Sequence, residues 1–258
     1  MLSFRLVSCL AIAAAAAMAA DGRVDIPLDK KPFTTFHYEL EWDKPFLYPL
    51  RTASGAVITR SQDHPVQRGL WFGHGDINGI DFWRELGEGK SGRMEIKFPP
   101  KVELADRSAL LSADFRLIAP DGTAIIGSVR QEFQIARKDD NNVIDARFTV
   151  SADQDKPLKM GATEEGPFGI RIADEFREDR SAKAILGKAA KWVDYSSTVG
   201  GEKCGVAVFD HPANPFPRDG GRTIPAGGKM DFRYRVVIHS GDAKSARLES
   251  LYDEFRGQ

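Results

Sequence analysis

Once an N-terminal leader is set aside, the chain keeps a single cysteine, Cys204, so no intramolecular disulfide is available and stability rests on the core. Charge of one sign is lacking too. The 36 basic residues stand against 37 acidic ones, net −1, and neither sign gathers in a long block. That balance excludes the electrostatic footprint of a nucleic-acid binder or of a protein held on an anionic membrane. Beyond the leader there is no apolar run of membrane-spanning length, no internal repeat and no low-complexity tract. Two catalytic signatures are also missing. Gly87-Glu88-Gly89-Lys90-Ser91 echoes a phosphate-binding loop, but Arg84 stands where that motif needs its first glycine. No G-x-S-x-G nucleophile elbow occurs anywhere.

The leader itself is a basic residue, Arg5, an apolar run from Leu6 to Ala17, and small residues around Met18. This is the pattern of a secretory signal peptide cut after Ala19, so the chain is expected to be exported, periplasmic or secreted, with no membrane attachment after cleavage. Leu6-Val7-Ser8-Cys9 fits a lipoprotein box only superficially, because too little apolar sequence precedes Cys9. Residues 20–258 suit one β domain.

Several segments alternate apolar and polar residues with period two, the mark of strands with one buried face. In Val143 to Val150 the apolar set is Ile144, Ala146, Phe148 and Val150. In Met230 to His239 it is Met230, Phe232, Tyr234, Val236 and Ile238, opposite Asp231, Arg233, Arg235 and His239. Further strands are expected within Met94–Phe98, Ala113–Ile118, Ala124–Ile135, Phe168–Ala173, Ala189–Val193 and Gly205–Phe209. Turn signals such as Pro120-Asp121-Gly122 and Gly200-Gly201 lie between them. Lys44 to Leu50 carries two prolines and reads as an edge segment or ordered loop, and residues 22–32 as an extended lead-in. Only Ala243 to Arg256 looks helical, with Leu248, Leu251, Tyr252 and Phe255 at helical spacing, Asp242 to cap it and Gly257 to end it. The pattern predicts an all-β antiparallel sandwich with one C-terminal helix lying over one end.

The densest chemistry falls between Arg60 and Trp83, RSQDHPVQRGLWFGHGDINGIDFW. Four glycines there let the backbone turn or approach a ligand. His74 and Asp76, two apart, share a face if the chain is extended. Trp71 and Trp83 supply flat apolar surface for a sugar ring or for the core. Asp63-His64-Pro65 recurs as Asp210-His211-Pro212, with Asn214 just beyond. If the two loops meet, His64, His74 and His211 are placed for acid/base work, or for a divalent metal held with Asp76. The plain alternative is that these are Asp-x-Pro turns whose histidines bond to backbone. Glu164-Glu165 precede a strand carrying Arg171. Glu165 is a candidate acid or base, and Arg68 and Arg171 are candidate donors to substrate oxygens. Asp76, Asp81, Trp83 and Asn214 complete the expected lining, and Cys204 reads as inert core.

Residues 44–60, 63–83, 164–173, 191–215 and 234–242 together resemble a bacterial family of exported proteins labelled "methane oxygenase PmoA", otherwise treated as a domain of unknown function. The resemblance implies a sandwich similar to galactose mutarotase-like domains and a role in carbohydrate metabolism outside the cytoplasm. Its label implies a copper-dependent oxidation, with a metal-dependent oxidoreductase as the corresponding activity. Two departures are visible. The family reads D-H-P-H-H-R-G where this chain has Val66 and Gln67 in place of the two later histidines, and its aromatic-rich segment after the second D-H-P is shortened here. The expectation is therefore a small carbohydrate ligand, handled by a hydrolase, lyase or epimerase or held by a noncatalytic binding module.

Overall fold

The computed structural model describes residues 22–61, 67–87, 89–176, 190–215 and 221–258. The chain is an antiparallel β-sandwich. In chain order the strands are β1 (Arg23–Leu28), β2 (Lys31–His37), β3 (Phe46–Tyr48), β4 (Leu70–Phe72), β5 (Arg93–Ile96), β6 (Lys101–Ala105), β7 (Ser108–Ile118) and β8 (Ile125–Lys138). There follow β9 (Asn141–Ser151), β10 (Leu158–Met160), β11 (Phe168–Ile170), β12 (Trp192–Val199), β13 (Glu202–Asp210), β14 (Arg222–Ile224) and β15 (Lys229–Ser240). One α-helix, α1 (Leu248–Arg256), follows them.

The larger sheet runs β12-β13-β15-β9-β8-β7-β5, with β6 also paired to β7. The smaller runs β1-β2-β3-β4-β11, and β10 pairs β14 apart from both. The inner faces of the two large sheets share one apolar core. Phe72 of the smaller sheet stacks on Phe148 of the larger at 4.5 Å, and Phe36 meets Phe133 at 5.9 Å. Period-two burial along β7, β8 and β9 follows from this arrangement, since one face meets the opposing sheet.

The structure differs from the sequence expectation in several places. The proline-bounded segment is an interior strand, β3, lying between β2 and β4. Pro45 and Pro49 fall just outside its three paired residues, so neither removes a ladder donor. The lead-in is a hairpin, β1 and β2. The strand expected at Ala189–Val193 begins at Trp192 and continues to Val199, and Ala189 lies outside the described residues. Finally, the helix is shorter than expected. Asp242 accepts from the Ser245 backbone N–H at 2.9 Å and closes a turn, and Arg247, at φ 57, breaks the backbone before Leu248.

Helix α1 does not cover one end of the sandwich. Leu248, Tyr252 and Phe255 pack on Val143, Ala207, Phe209 and Val237, on the outer face of the larger sheet. The face of β15 opposite Val236 and Ile238 is therefore covered as well. Arg235 and His239, read from sequence as the strand's polar side, are both fully buried. Arg235 is satisfied by Asp145 at 2.5 and 2.7 Å and by the Leu251 carbonyl at 2.8 Å. His239 Nε2 meets Asp194 Oδ1 at 3.0 Å.

Candidate functional site

Strand β4 pairs β3 on one side and β11 on the other, which brings the tryptophan block against the segment after Glu164. Gly73 N–H donates to the Pro167 carbonyl at 3.0 Å, and Arg60 N–H to the Arg171 carbonyl at 2.9 Å, so the two segments run side by side. Two glycines allow this. Gly69 has φ +51, and a Cβ there would stand 2.0 Å from the Leu47 carbonyl oxygen. Gly169 lies under the Trp71 ring, where a Cβ would meet ring carbons at 2.3 Å.

Between these segments opens a cleft of about 880 Å³. Trp71, Trp83, Glu165 and Arg171 line it, together with Arg60, Gln67, Phe168 and Tyr195. Four of the residues singled out in the sequence therefore converge. Trp71 is only 4% and Trp83 7% exposed, however, and their rings lean on each other at 5.2 Å. They form an apolar floor rather than free-standing platforms on which a ring could stack.

Charged groups hold that floor in place. Lys44 Nζ, buried, donates to the Trp83 carbonyl at 2.8 Å and to Glu85 at 3.0 Å. Arg68 donates to the other oxygen of Glu85 at 2.6 Å and lies over the Trp42 ring at 4.2 Å. Burial pushes the Lys44 ammonium below the usual lysine range despite Glu85. Arg68, expected to grip substrate, is thus built into the wall behind the tryptophans. Lys44 and Glu85 were not singled out in the sequence, because nothing in their spacing shows that they meet.

Glu165 is about one-third exposed and takes a hydrogen bond from Arg84 Nη2 at 2.9 Å. Arg171 donates to the Gln67 side chain at 3.3 Å, and Arg60 to Asp174 at 2.6 Å. Asp76 and Asp81 follow the turn reading. Asp76 accepts from Gly79 N–H at 2.8 Å, and Asp81 from the backbone N–H of Trp83 and Arg84 at 2.7 and 2.9 Å.

Among the described residues the histidines do not gather. His74 is fully buried and does not line the cleft, its Nε2 donating to the Gly161 carbonyl at 3.0 Å. Nδ1 has no partner. His211 lies on the far side of the larger sheet, edge-on to Phe255 of α1 at 5.2 Å. Alternation along β13 sends Phe209 and His211 outward and turns Asp210 inward, across from Tyr234. Asn214 is not in the cleft either: it bonds both the N–H and the carbonyl of Arg233 at 2.7 Å. His64 lies outside the described residues.

Of the donors expected for a metal, His64, His74 and Asp76 or His211, His64 lies outside the described residues, and His74 and His211 stand on opposite sides of the larger sheet. Among the described residues no three His, Cys, Asp or Glu side chains come together to hold an ion. Among them, too, no helix is long and apolar enough to cross a membrane.

Burial lowers the proton affinity of His74, and burial together with Arg233 lowers that of His211. Each imidazole takes up a proton more readily in the unfolded chain, so neutral-histidine stability is present above about pH 6.5 and is lost as pH falls. Urea unfolding is expected to show lower stability at pH 5.5 than at pH 7.5. The loss should be smaller in His74→Gln, and an unchanged loss would contradict this assignment.

A model described as a family of unknown function (DUF6807) matches residues 23–253. No curated protein and no solved structure matches the chain. The matching model carries no oxygenase label, so it supports the domain-of-unknown-function part of the resemblance and nothing finer.

Proposed function

The chain belongs to this family of unknown function (DUF6807), and from that starting point we propose that the protein is an exported carbohydrate-binding protein whose cleft holds a saccharide beside Glu165. The observation that carries the reading is the composition of the cleft. An apolar floor of Trp71, Trp83 and Phe168 meets a carboxylate, Glu165, and two guanidinium groups, Arg60 and Arg171. Sugars present apolar C–H faces and a rim of hydroxyls, which call for that pairing of aromatic surface with donors and acceptors. A cleft of about 880 Å³ lies within the size range of small-ligand sites, roughly 300–1,000 Å³.

Within this reading Glu165 is the group that exchanges a proton with the sugar, as acid or base in a hydrolase, lyase or epimerase. A noncatalytic module is the second reading. It is favoured by the histidines, since neither His74 nor His211 lines the cleft and the carboxylate of Asp174 is engaged by Arg60. The copper chemistry of the oxygenase label is not part of the proposal, because among the described residues no three His, Cys, Asp or Glu side chains gather to hold an ion.

Binding is tested by Gly169→Ala. The added methyl must displace the Trp71 ring into the cleft, so affinity for a bound saccharide is expected to fall about tenfold, with about 1–3 kcal/mol of destabilisation from overpacking. Calorimetric titration against a panel of neutral and acidic oligosaccharides reads the first, and urea unfolding the second. A wild-type protein that binds none of the panel, or a variant that binds unchanged, would overturn the reading.

A further inference from the structure

The cleft beside Glu165 has a long axis. Phe168 to Asp174 line it without a break. This segment is extended: β11 pairs β4, Ile172 bridges Thr59, and Ala173 N–H donates to the Ile58 carbonyl at 2.9 Å. An extended chain from Phe168 to Ala173 spans roughly 17 Å. The cavity is therefore a trough laid along a strand and not a round pocket.

Its place follows from the sandwich. β11 is the last strand of the smaller sheet and β12 the last of the larger, and both contribute to the walls, β12 through Tyr195. Ser197 Oγ of β12 donates to the Glu175 carbonyl at 2.5 Å, which ties β12 to the turn that follows Ala173. Gly73 N–H bonds the Pro167 carbonyl and Arg171 N–H the Gly69 carbonyl. By the alternation of an antiparallel ladder, Phe168 and Ile170 then direct their N–H and C=O groups away from β4. Those groups take no bond among the described residues.

The open edge offers donors and acceptors in turn, which suits the hydroxyls of a sugar chain. An added peptide strand is a poorer match, because the edge stops on both sides. Pro167 has no N–H, and Arg171 spends its N–H on Gly69 and its carbonyl on Arg60.

The two ends of the trough carry different chemistry. At one, Trp71 and Trp83 form the floor and Arg84 holds Glu165 at 2.9 Å. At the other stand the Tyr195 ring and Arg60, paired with Asp174 at 2.6 Å. One sugar ring beside Glu165 would leave the Tyr195 end uncovered. The volume of about 880 Å³ is also near the top of the range for small-ligand sites, roughly 300–1,000 Å³.

We propose that the cleft takes a linear oligosaccharide of several rings. One ring lies over the Trp71–Trp83 floor beside Glu165, the next along the open edge of Phe168 and Ile170, and a distal one against Tyr195. The proposal rests on the carbohydrate reading of this cleft and adds chain length and register to it.

Isothermal titration calorimetry of the full chain tests this, with three series of probes of one to four 1,4-linked rings, built of glucose, xylose and galacturonate. In a series that binds, three rings are expected to bind about tenfold more tightly than one, the gain coming from ring contact at Tyr195. Tyr195→Ala is expected to weaken the three-ring member about tenfold and the single ring less than about threefold. Tyr195→Leu, which keeps apolar bulk but loses the flat ring, is expected to show the same split, and urea transitions matching wild type establish that the variants fold. Affinity that does not change with chain length, or a gain that survives both variants, would overturn the proposal and leave the carbohydrate reading standing. Absence of binding by every member of the three series would overturn both.

Discussion

Glu165→Gln is expected to lower turnover of the saccharide substrate about 10²-fold or more while leaving its affinity within about threefold of wild type. The amide keeps the size and hydrogen-bonding reach of the carboxylate but cannot exchange the proton. Arg84 loses its ionic partner in the variant, yet Arg84 also lies 3.7 Å from Asp81, so the loop has a second anchor. Turnover measured by reducing-end or double-bond release, alongside calorimetric affinity, separates the enzyme from the binding module. A variant with unchanged turnover would remove Glu165 from the chemistry, and a wild-type protein that binds the saccharide without converting it would leave the noncatalytic reading.

The second large effect is structural. Asp145→Ala is expected to destabilise the protein by about 3–5 kcal/mol, because it strands a guanidinium that is fully buried under α1. Arg235 would keep the Leu251 carbonyl at 2.8 Å and the half-exposed Glu254 at 3.3 Å, neither of which replaces a bidentate carboxylate. Replacing both partners, as in Asp145→Leu with Arg235→Met, is expected to recover most of the loss, since Phe255 already lies 5.3 Å from the guanidinium and offers apolar contact. Urea unfolding of the single and double variants measures this. A loss below about 1 kcal/mol in Asp145→Ala would mean that Arg235 reaches water or another anion when the helix shifts.

How far the sequence discloses this molecule depends on whether a strand has a polar face. In β9, Ile144, Ala146, Phe148 and Val150 alternate with polar residues, and all four are buried as the alternation requires. In β13 the run Cys204 to Phe209 is apolar on both sides, because the second sheet covers one face and α1 the other. Such a run carries no phase, so the sequence could not say that Asp210 turns inward and His211 outward. The amphipathic stripe of α1 was equally visible, but a stripe does not name the surface it covers. Its seat on the outer face of the larger sheet is what buries Arg235.

The cleft was half legible for a related reason. Trp71, Trp83, Glu165 and Arg171 stand out by residue type, and the backbone pairing of β4 with β11 brings them together. Lys44, Glu85 and Arg68 act through contacts between residues 17 to 41 apart, and no local pattern encodes those. Asp76 and Asp81 looked like site residues by density alone, whereas each serves the turn it begins, the ordinary use of aspartate before a glycine or a bend.

The most direct measurement is a crystal structure of the protein grown with whichever oligosaccharide of the panel most raises its melting temperature. The account predicts a sugar ring lying over the Trp71–Trp83 floor with a hydroxyl within hydrogen-bonding distance of Glu165. A saccharide bound elsewhere, with the space between Glu165 and Arg171 holding only solvent, would contradict it.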